Sequence, residues 1–148
     1  MDQFREQLQI FVRRFGLLNA ASCEECCGEQ VSMVQSHILF EIRRRGTPCM
    51  QQVAEELGMD VTTFSRQAKS LEAKGLISRE VAPHDRRVYL LGLTAAGENV
   101  LGRIDCCMTE RMGTVFSFMT PFEQETVAGA FSLLNEALSR SVPSKTIA

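Results

Sequence analysis

Apolar residues recur at spacings of three and four along most of the chain, which is the periodicity of amphipathic helices. One such stretch covers residues 4 to about 20, and a second covers roughly 32–45. Gly46 and Pro48 end the second stretch, because glycine suits a helix C-cap and proline cannot continue a helix. The pattern predicts two amphipathic helices, separated by a break at 22–29 that is rich in cysteine and glutamate.

Two shorter helices and a hairpin are predicted next. The third helix covers 51–58, and the fourth covers 60–74 with an aspartate as its first, capping residue. The segments 76–81 and 87–93 are rich in β-forming residues, and a turn-forming segment, 82–86, separates them. The order helix, helix, strand, turn, strand is typical of a helix-turn-helix followed by a wing.

Two long helices end the pattern. Thr94 is placed to cap the fifth helix, whose apolar positions continue to Met119. Thr120 and Pro121 predict the start of a sixth helix, because threonine is a good N-cap and proline is favoured as the first helical residue. The expected fold class is mainly α, a winged helix-turn-helix flanked by long terminal helices.

We expect residues 1–148 to form a single domain. Residues 46–93 would be the winged helix-turn-helix, and residues 4–45 and 94–140 would supply dimerisation helices. The apolar stripes of the terminal helices are too long for so small a core to absorb, which implies a partner chain. The predicted homodimer interface contains Phe4, Leu8, Phe11, Phe131, Leu134 and Leu138.

Composition and charge limit the possible partners. The 148 residues are 45% hydrophobic and 23% charged, and no apolar run approaches the length that spans a bilayer. With no signal-peptide layout at the N-terminus, we expect a cytoplasmic protein without a membrane partner. The net charge is −2, yet residues 43–87 hold nine basic and six acidic residues. A basic middle suits contact with phosphates, although an excess of three charges could also arise by chance.

The third and fourth helices carry the features of a DNA-reading pair. Ala54 is small where two helices must cross closely, and Gly58 permits the positive φ of a tight turn. The core that the two helices share would contain Val53, Leu57, Phe64 and Leu71. A generic helical hairpin with a solvated polar face fits these two helices equally well. Under the DNA interpretation, the fourth helix exposes hydroxyls and cations to the major groove at Thr62, Thr63, Ser65, Arg66 and Lys69.

The hairpin gives the combined pattern its specificity. The segments 71–79, 85–87 and 91–97 resemble the MarR family of bacterial transcription regulators. The shared features are a Leu-Glu pair, a Gly-Leu-Ile strand start, an arginine, an Asp-x-Arg wing and a Leu-Thr-x-x-Gly helix start. The order of elements also matches over about 4–140. The resemblance implies a triangular all-helical homodimer with two winged lobes, which binds double-stranded DNA at a palindromic operator.

The resemblance also assigns roles within the wing. Asp85 would support the wing, Arg86 would lie at its tip near phosphates, and Arg87 would enter the minor groove. Arginine suits a narrow, electronegative minor groove on physical grounds as well. One departure is Met50, which stands where a serine or threonine capping the third helix would be usual.

Enzyme chemistry finds no support in the motifs. The sequence lacks a phosphate-binding glycine loop, a His-Glu-x-x-His zinc motif and a nucleophile elbow. Its two histidines are His37 and His84, and a pair of Cys27 with His37 would lack a group that orients the base. We therefore expect a DNA-binding regulator; an enzyme and a pure metal buffer are the other classes considered.

Six cysteines are many for a small cytosolic protein. Cys49 lies in a short apolar stretch and is interpreted as a small hydrophobic residue. In metal-responsive relatives of the family, ligands come from the first interhelical loop, the second helix and the fifth helix. The resemblance thus places two groups of thiols in one predicted sensor site: Cys23, Cys26, Cys27, Cys106 and Cys107.

Three kinds of effector remain open from the sequence, and two of them would act at these thiols. Thiolates bind thiophilic metal or metalloid ions, so the cofactor that this site could hold is an ion of that kind. Paired thiols can also be oxidised to a disulfide. The alternative is a small aromatic or organic ligand between the dimer helices, with incidental cysteines. In each case the expected function is a repressor that its effector releases from the operator.

Overall fold

A computed structural model describes residues 1–16 and 31–141. These residues form six helices and one two-stranded antiparallel sheet, so the predicted mainly helical fold with a single hairpin is confirmed. The elements are α1 (Asp2–Phe15), α2 (Met33–Arg45), α3 (Met50–Glu56), α4 (Val61–Ala73), β1 (Ile77–Ala82), β2 (Asp85–Leu93), α5 (Ala95–Phe116) and α6 (Pro121–Ser141).

The chain divides into two compact units, Met1–Met108 and Thr109–Ala148. The boundary between the units falls inside α5. No helix in the described ranges is long and apolar enough to cross a membrane.

Helix α1 is shorter than predicted. It ends at Phe15 because Gly16 adopts the left-handed conformation, with φ 82°, and its N–H caps the helix. The predicted extension to about residue 20 runs past this cap into residues 17–20, which lie outside the described residues. The predicted break at 22–29 lies outside the described residues.

Helix α3 shows why Met50 departs from the expected capping residue. The N-cap is Cys49, so Met50 is already helical, and the side-chain Oε1 of Gln52 accepts the Cys49 N–H at 2.9 Å. The helix therefore begins one residue earlier than predicted, and it ends at Glu56 instead of residue 58. The glutamine that returns to the N-cap supplies half of a capping box.

The core lies in the unit that contains α2, α3, α4, the hairpin and the start of α5. Each of these helices contributes buried side chains, and the strands contribute Ile77 of β1 and Leu91 of β2. Both Phe64 and Leu71 are fully buried, as predicted. The buried hydrophobic residues are Val31, Ile38, Leu39, Ile42, Val53, Ala54, Phe64, Ala68, Leu71, Leu76, Ile77, Leu91, Val100 and Leu101.

The start of α5 is held against β1 by a close backbone approach. Thr94 caps the helix by accepting the Gly97 N–H at 3.1 Å, and its hydroxyl donates to the Gly75 carbonyl at 2.6 Å. A Cβ placed on Gly97 would lie 2.1 Å from the Leu76 carbonyl oxygen. Only glycine therefore allows α5 to begin so close to the strand.

The second unit holds the end of α5 and all of α6. Helix α5 ends at Phe116, three residues before the predicted Met119. Helix α6 begins at Pro121 as predicted, with a capping box in which Thr120 N–H donates to Glu123 Oε2 at 2.7 Å. The same contact lowers the pKa of the Glu123 carboxyl, chiefly through the Thr120 backbone donor. No residue of α6 is buried.

Candidate nucleic-acid interface

The turn between α3 and α4 is built from backbone hydrogen bonds and one glycine. Gly58 takes the positive φ that the sequence predicts, 62°. The N–H of Met59 donates to the Ala54 carbonyl at 2.8 Å, and Ala54 is 1% exposed. A larger side chain than alanine would separate the two helices at this crossing.

The first turn of α4 is fixed by its cap. Asp60 Oδ1 accepts the Thr63 N–H at 2.9 Å. The pKa of the Asp60 carboxyl is lowered mainly by the Thr63 side chain, with backbone donors adding to the effect. The carboxylate thus stays ionised at the helix N-terminus, where the helix dipole also favours negative charge. This cap orients the turn from which the predicted contact residues project.

One face of α4 enters the core and leaves the opposite face open. Phe64, Ala68 and Leu71 are buried at spacings of four and three. The predicted contact residues consequently point away from the core, and all are exposed except the half-buried Ser65: Thr62, Thr63, Ser65, Arg66 and Lys69.

The wing is a tight hairpin with an irregular tip. Strand β2 begins at Asp85, so the connection contains only residues 83–84, and the predicted turn over 82–86 with a strand start at 87 is wrong. The reason is that Ala82 pairs with Asp85 and a register shift follows, which leaves Arg86 and Arg87 exposed within the strand. Asp85 Oδ1 accepts the Arg87 N–H at 2.9 Å.

The base of the wing is tied to the end of α4 through Arg79. Its guanidinium carbon lies 4.5 Å from the centroid of the Tyr89 ring, and its Nη1 lies 3.4 Å from Glu72 Oε2. A cation over an aromatic face and an ion pair both favour this position of the side chain. Glu72 belongs to the Leu-Glu pair of the family pattern and Arg79 is its arginine, but the pattern alone does not predict that the two side chains form an ion pair.

Ion pairs distinguish the basic residues at the end of α2 from those on α4 and at the tip of the wing. The cations at the end of α2 are paired: Arg43 with Asp105 at 2.7 Å, and Arg44 and Arg45 with Glu41 and Glu56. Glu41 is 3% exposed, and the Arg44 guanidinium is the main cause of its lowered carboxyl pKa. These three arginines hold α2, α3 and α5 together and add little net positive charge to the surface.

The second group is unpaired. Between residues 43 and 93, four cations make no ion pair with any described residue, and all four are exposed. Two lie on the outward face of α4 and two at the tip of the wing: Arg66, Lys69, Arg86 and Arg87. They are the four cations that sequence analysis selected as DNA contacts.

Only part of the predicted thiol site can be located. Cys23, Cys26 and Cys27 lie outside the described residues. Cys106 is exposed and the adjacent Cys107 is half-buried on α5, and the sulfur of Cys107 belongs to a disulfide bond. Within ranges 1–16 and 31–141, no three His, Cys, Asp or Glu side chains converge as a metal site.

The sequence matches a known family model and several curated proteins. The MarR family model matches residues 31–89, which cover α2 to most of the wing. The HTH-type transcriptional regulator YxaD of Bacillus subtilis is 29% identical over 131 residues, covering 88% of this chain and 90% of that protein. The HTH-type transcriptional repressor MdtR of the same organism is 25% identical over 137 residues, covering 92% and 88%.

The fold also matches solved structures. FabT of Streptococcus pneumoniae, crystallised in complex with DNA, superposes with a TM-score of 0.82 over 94% of this chain and 97% of that chain. The two sequences are 20% identical, so this likeness concerns the fold. It covers the helices on both sides of the hairpin as well as the helix-turn-helix.

Proposed function

We propose that this chain is a winged helix-turn-helix transcription regulator of the MarR family, and that it binds a palindromic operator in double-stranded DNA as a homodimer. Members of the family are DNA-binding regulators and not enzymes. Helix α4 would lie in the major groove, and the wing would reach the adjacent minor groove.

The observation that carries the proposal is the separation of paired from unpaired cations. Arginines with a structural role have carboxylate partners within the protein, whereas no described carboxylate pairs with Arg66, Lys69, Arg86 or Arg87. An exposed cation without a protein partner can neutralise a phosphate and release condensed counterions. Two of these cations lie on α4 and two at the tip of the wing, which is the charge distribution expected of a winged helix-turn-helix that binds DNA.

Within this interface the side chains would have different tasks. Arg66 and Lys69 can donate to guanine O6 and N7, and the hydroxyls of Thr62, Thr63 and Ser65 can bond base edges or phosphates. The cap at Asp60 would keep this first turn helical as it enters the groove.

The wing would contribute shape reading and charge. Arg87 would enter the minor groove, where narrow A·T-rich segments attract arginine, and Arg86 would lie near phosphates. Asp85 would support both by holding the backbone N–H of Arg87.

The exposed apolar residues of α1 and α6 support the homodimer. Phe4 and Leu8 are 54% and 47% exposed, and Phe131 and Leu138 are 45% and 52% exposed. Apolar stripes of this kind are rarely left in water by soluble monomers. A second copy would cover them and would set the spacing of two α4 helices on the operator.

We further propose that the regulator is a repressor, released when an effector acts on the thiols predicted at Cys23, Cys26, Cys27, Cys106 and Cys107. The disulfide of Cys107 supports thiol chemistry on α5. If the effector is an oxidant, two thiols lose two electrons to a two-electron oxidant, release two protons and form one S–S bond. A thiophilic metal or metalloid ion would bridge the same thiolates without oxidation.

The DNA proposal is tested by selecting duplexes from a random pool with the purified, reduced protein. Recovery of an inverted repeat, with a gel shift that is lost when Arg66 and Arg87 are both replaced by Ala, would support it. Recovery of no enriched sequence, with no shift at low salt, would overturn it.

The effector proposal is tested on the complex so obtained. Diamide, zinc and arsenite are added separately to wild type and to a Cys26→Ser/Cys107→Ser protein, with Cys49→Ser as the control for loss of a thiol elsewhere. We expect wild type and the control to release DNA, and the double variant to retain it. Release of the double variant by every effector that releases wild type would make the cysteines bystanders and favour an organic ligand.

A further inference from the structure

A buried glutamine in α2 forms hydrogen bonds with side chains of α4, the proposed recognition helix. Gln35 is 6% exposed, and its side-chain nitrogen donates to Gln67 Oε1 at 3.1 Å and to Ser70 Oγ at 3.2 Å. Both acceptors lie on α4, on the segment that follows the predicted base-contacting turn. The side-chain NH₂ group of Gln35 therefore donates both of its hydrogen bonds to α4.

The acceptor half of the same amide faces two other groups. Gln35 Oε1 accepts from Lys74 Nζ at 3.0 Å, just beyond the end of α4, and from the Ser32 N–H at 3.4 Å. Its two N–H donors and its carbonyl oxygen together make four hydrogen bonds, which is the full capacity of a primary amide. One side chain thus joins Ser32, the N-cap residue of α2, to three positions along or next to α4.

The N-terminal end of α2 depends on the same residue. Ser32 Oγ accepts the Gln35 backbone N–H at 3.2 Å, which completes a capping box with the side-chain contact. Movement of Ser32 would therefore act on both the backbone and the side chain of Gln35. Because the amide is buried, its bonds cannot be exchanged for water without cost.

We infer that Gln35 is a positioning residue that couples the start of α2 to the orientation of the recognition helix. A change at Ser32 would be transmitted through this amide to Gln67 and Ser70, and so to the face of α4 that reads DNA. The inference depends on the proposed function for its DNA-binding measurement.

The first test measures the coupling without DNA. Amide hydrogen exchange followed by mass spectrometry compares wild type with Gln35→Leu, which keeps side-chain bulk and removes the amide. We expect at least a tenfold faster exchange in peptides of α4 and unchanged exchange in β1 and β2. Ser36→Ala is the matched control, because that neighbouring hydroxyl donates to the Met33 carbonyl of its own helix.

The second test is a double-mutant cycle on a duplex selected by wild type. Ser32→Ala should weaken binding about fivefold in the wild-type background, because residues in one hydrogen-bond network couple energetically. In the Gln35→Leu background the same change should alter binding by less than about twofold. Equal effects of Ser32→Ala in both backgrounds, or no effect in either, would overturn the inference.

The two experiments distinguish failure of the inference about Gln35 from failure of the proposed DNA binding. If wild type selects no duplex, the proposed function fails, and the exchange experiment alone decides the role of Gln35. If Gln35→Leu does not fold by circular dichroism, Gln67→Leu replaces it, since that change removes the α4 side of the same contact. Exchange in α4 that matches wild type in the folded variant would refute the positioning role.

Discussion

The carboxylate of Asp85 accepts a hydrogen bond from the backbone N–H of Arg87 at 2.9 Å. An aspartate that bonds the amide two residues later forms a local turn, which fixes the backbone of the intervening residue. Here the intervening residue is Arg86, so the carboxylate orients both wing arginines at once. The carboxylate at the tip of the wing thereby fixes the backbone that carries Arg86 and Arg87.

Replacing Asp85 with Ala should weaken operator binding about fivefold to twentyfold, because one hydrogen bond contributes roughly 1–2 kcal/mol. Thermal stability should change little, since the residue is exposed. Fluorescence anisotropy with a selected duplex gives the affinity, and Asp85→Asn is the control that keeps the acceptor oxygen. Equal affinities of Asp85→Ala and wild type would show that the turn is irrelevant to binding.

Gly97→Ala should destabilise the protein by about 1–3 kcal/mol, because the added Cβ would clash with the Leu76 carbonyl and force the start of α5 away from β1. Gly102→Ala is the matched control on the same helix, since nothing lies within 4 Å of its Cβ position. The control should be stabilised by roughly 0.5–1 kcal/mol, as alanine favours helix. Urea unfolding of both proteins decides the matter; equal shifts in midpoint would contradict the account.

Glu41 predicts a pH dependence of stability. Its pKa is lowered in the folded state, first by the Arg44 hydrogen bonds, so its contribution is complete above the unfolded-state value of about 4.3. The contribution is lost as the pH falls through the lowered folded-state value. Glu41→Gln should cost roughly 1.5–3 kcal/mol at pH 7 and flatten the acid side of the stability curve. An acid side as steep as that of wild type would rule out this origin.

The exposed stripe on α1 predicts a change of assembly state. Wild type should sediment as a dimer at micromolar concentration, and Leu8→Glu should shift it toward monomer because a charge would enter an apolar interface. Gln7→Glu adds the same charge at an adjacent polar position and should remain dimeric. A wild-type monomer at that concentration would exclude the interface.

Local signals predicted the fold well where they alone decide the structure. Asp60, Thr94 and Thr120 cap the helices for which they were predicted, because an N-cap needs only a side chain and its own first turn. Gly58 likewise follows from the short turn around it. At Gly16 the prediction followed the apolar periodicity instead of the glycine, whose positive φ ends α1 at Phe15.

Contacts between distant segments could not be read from the sequence. The pairing of Arg43 with Asp105 depends on how α5 returns past α2, so the basic count of the central region overstated its free charge. Gln35 was missed for the same reason, although a glutamine three residues after Ser32 is the signal of a capping box. Its partners on α4 become visible only when the two helices pack together.

Salt-dependent operator binding by wild type and Arg87→Ala tests the central claim most directly. Anisotropy titrations over a range of salt concentrations should show weaker binding by the variant, with a slope of log K against log salt reduced in magnitude by about one. Arg5→Ala, which removes an exposed cation on α1, should match wild type in both. If Arg87→Ala bound the duplex with the affinity and slope of wild type, the wing would not be part of the DNA interface.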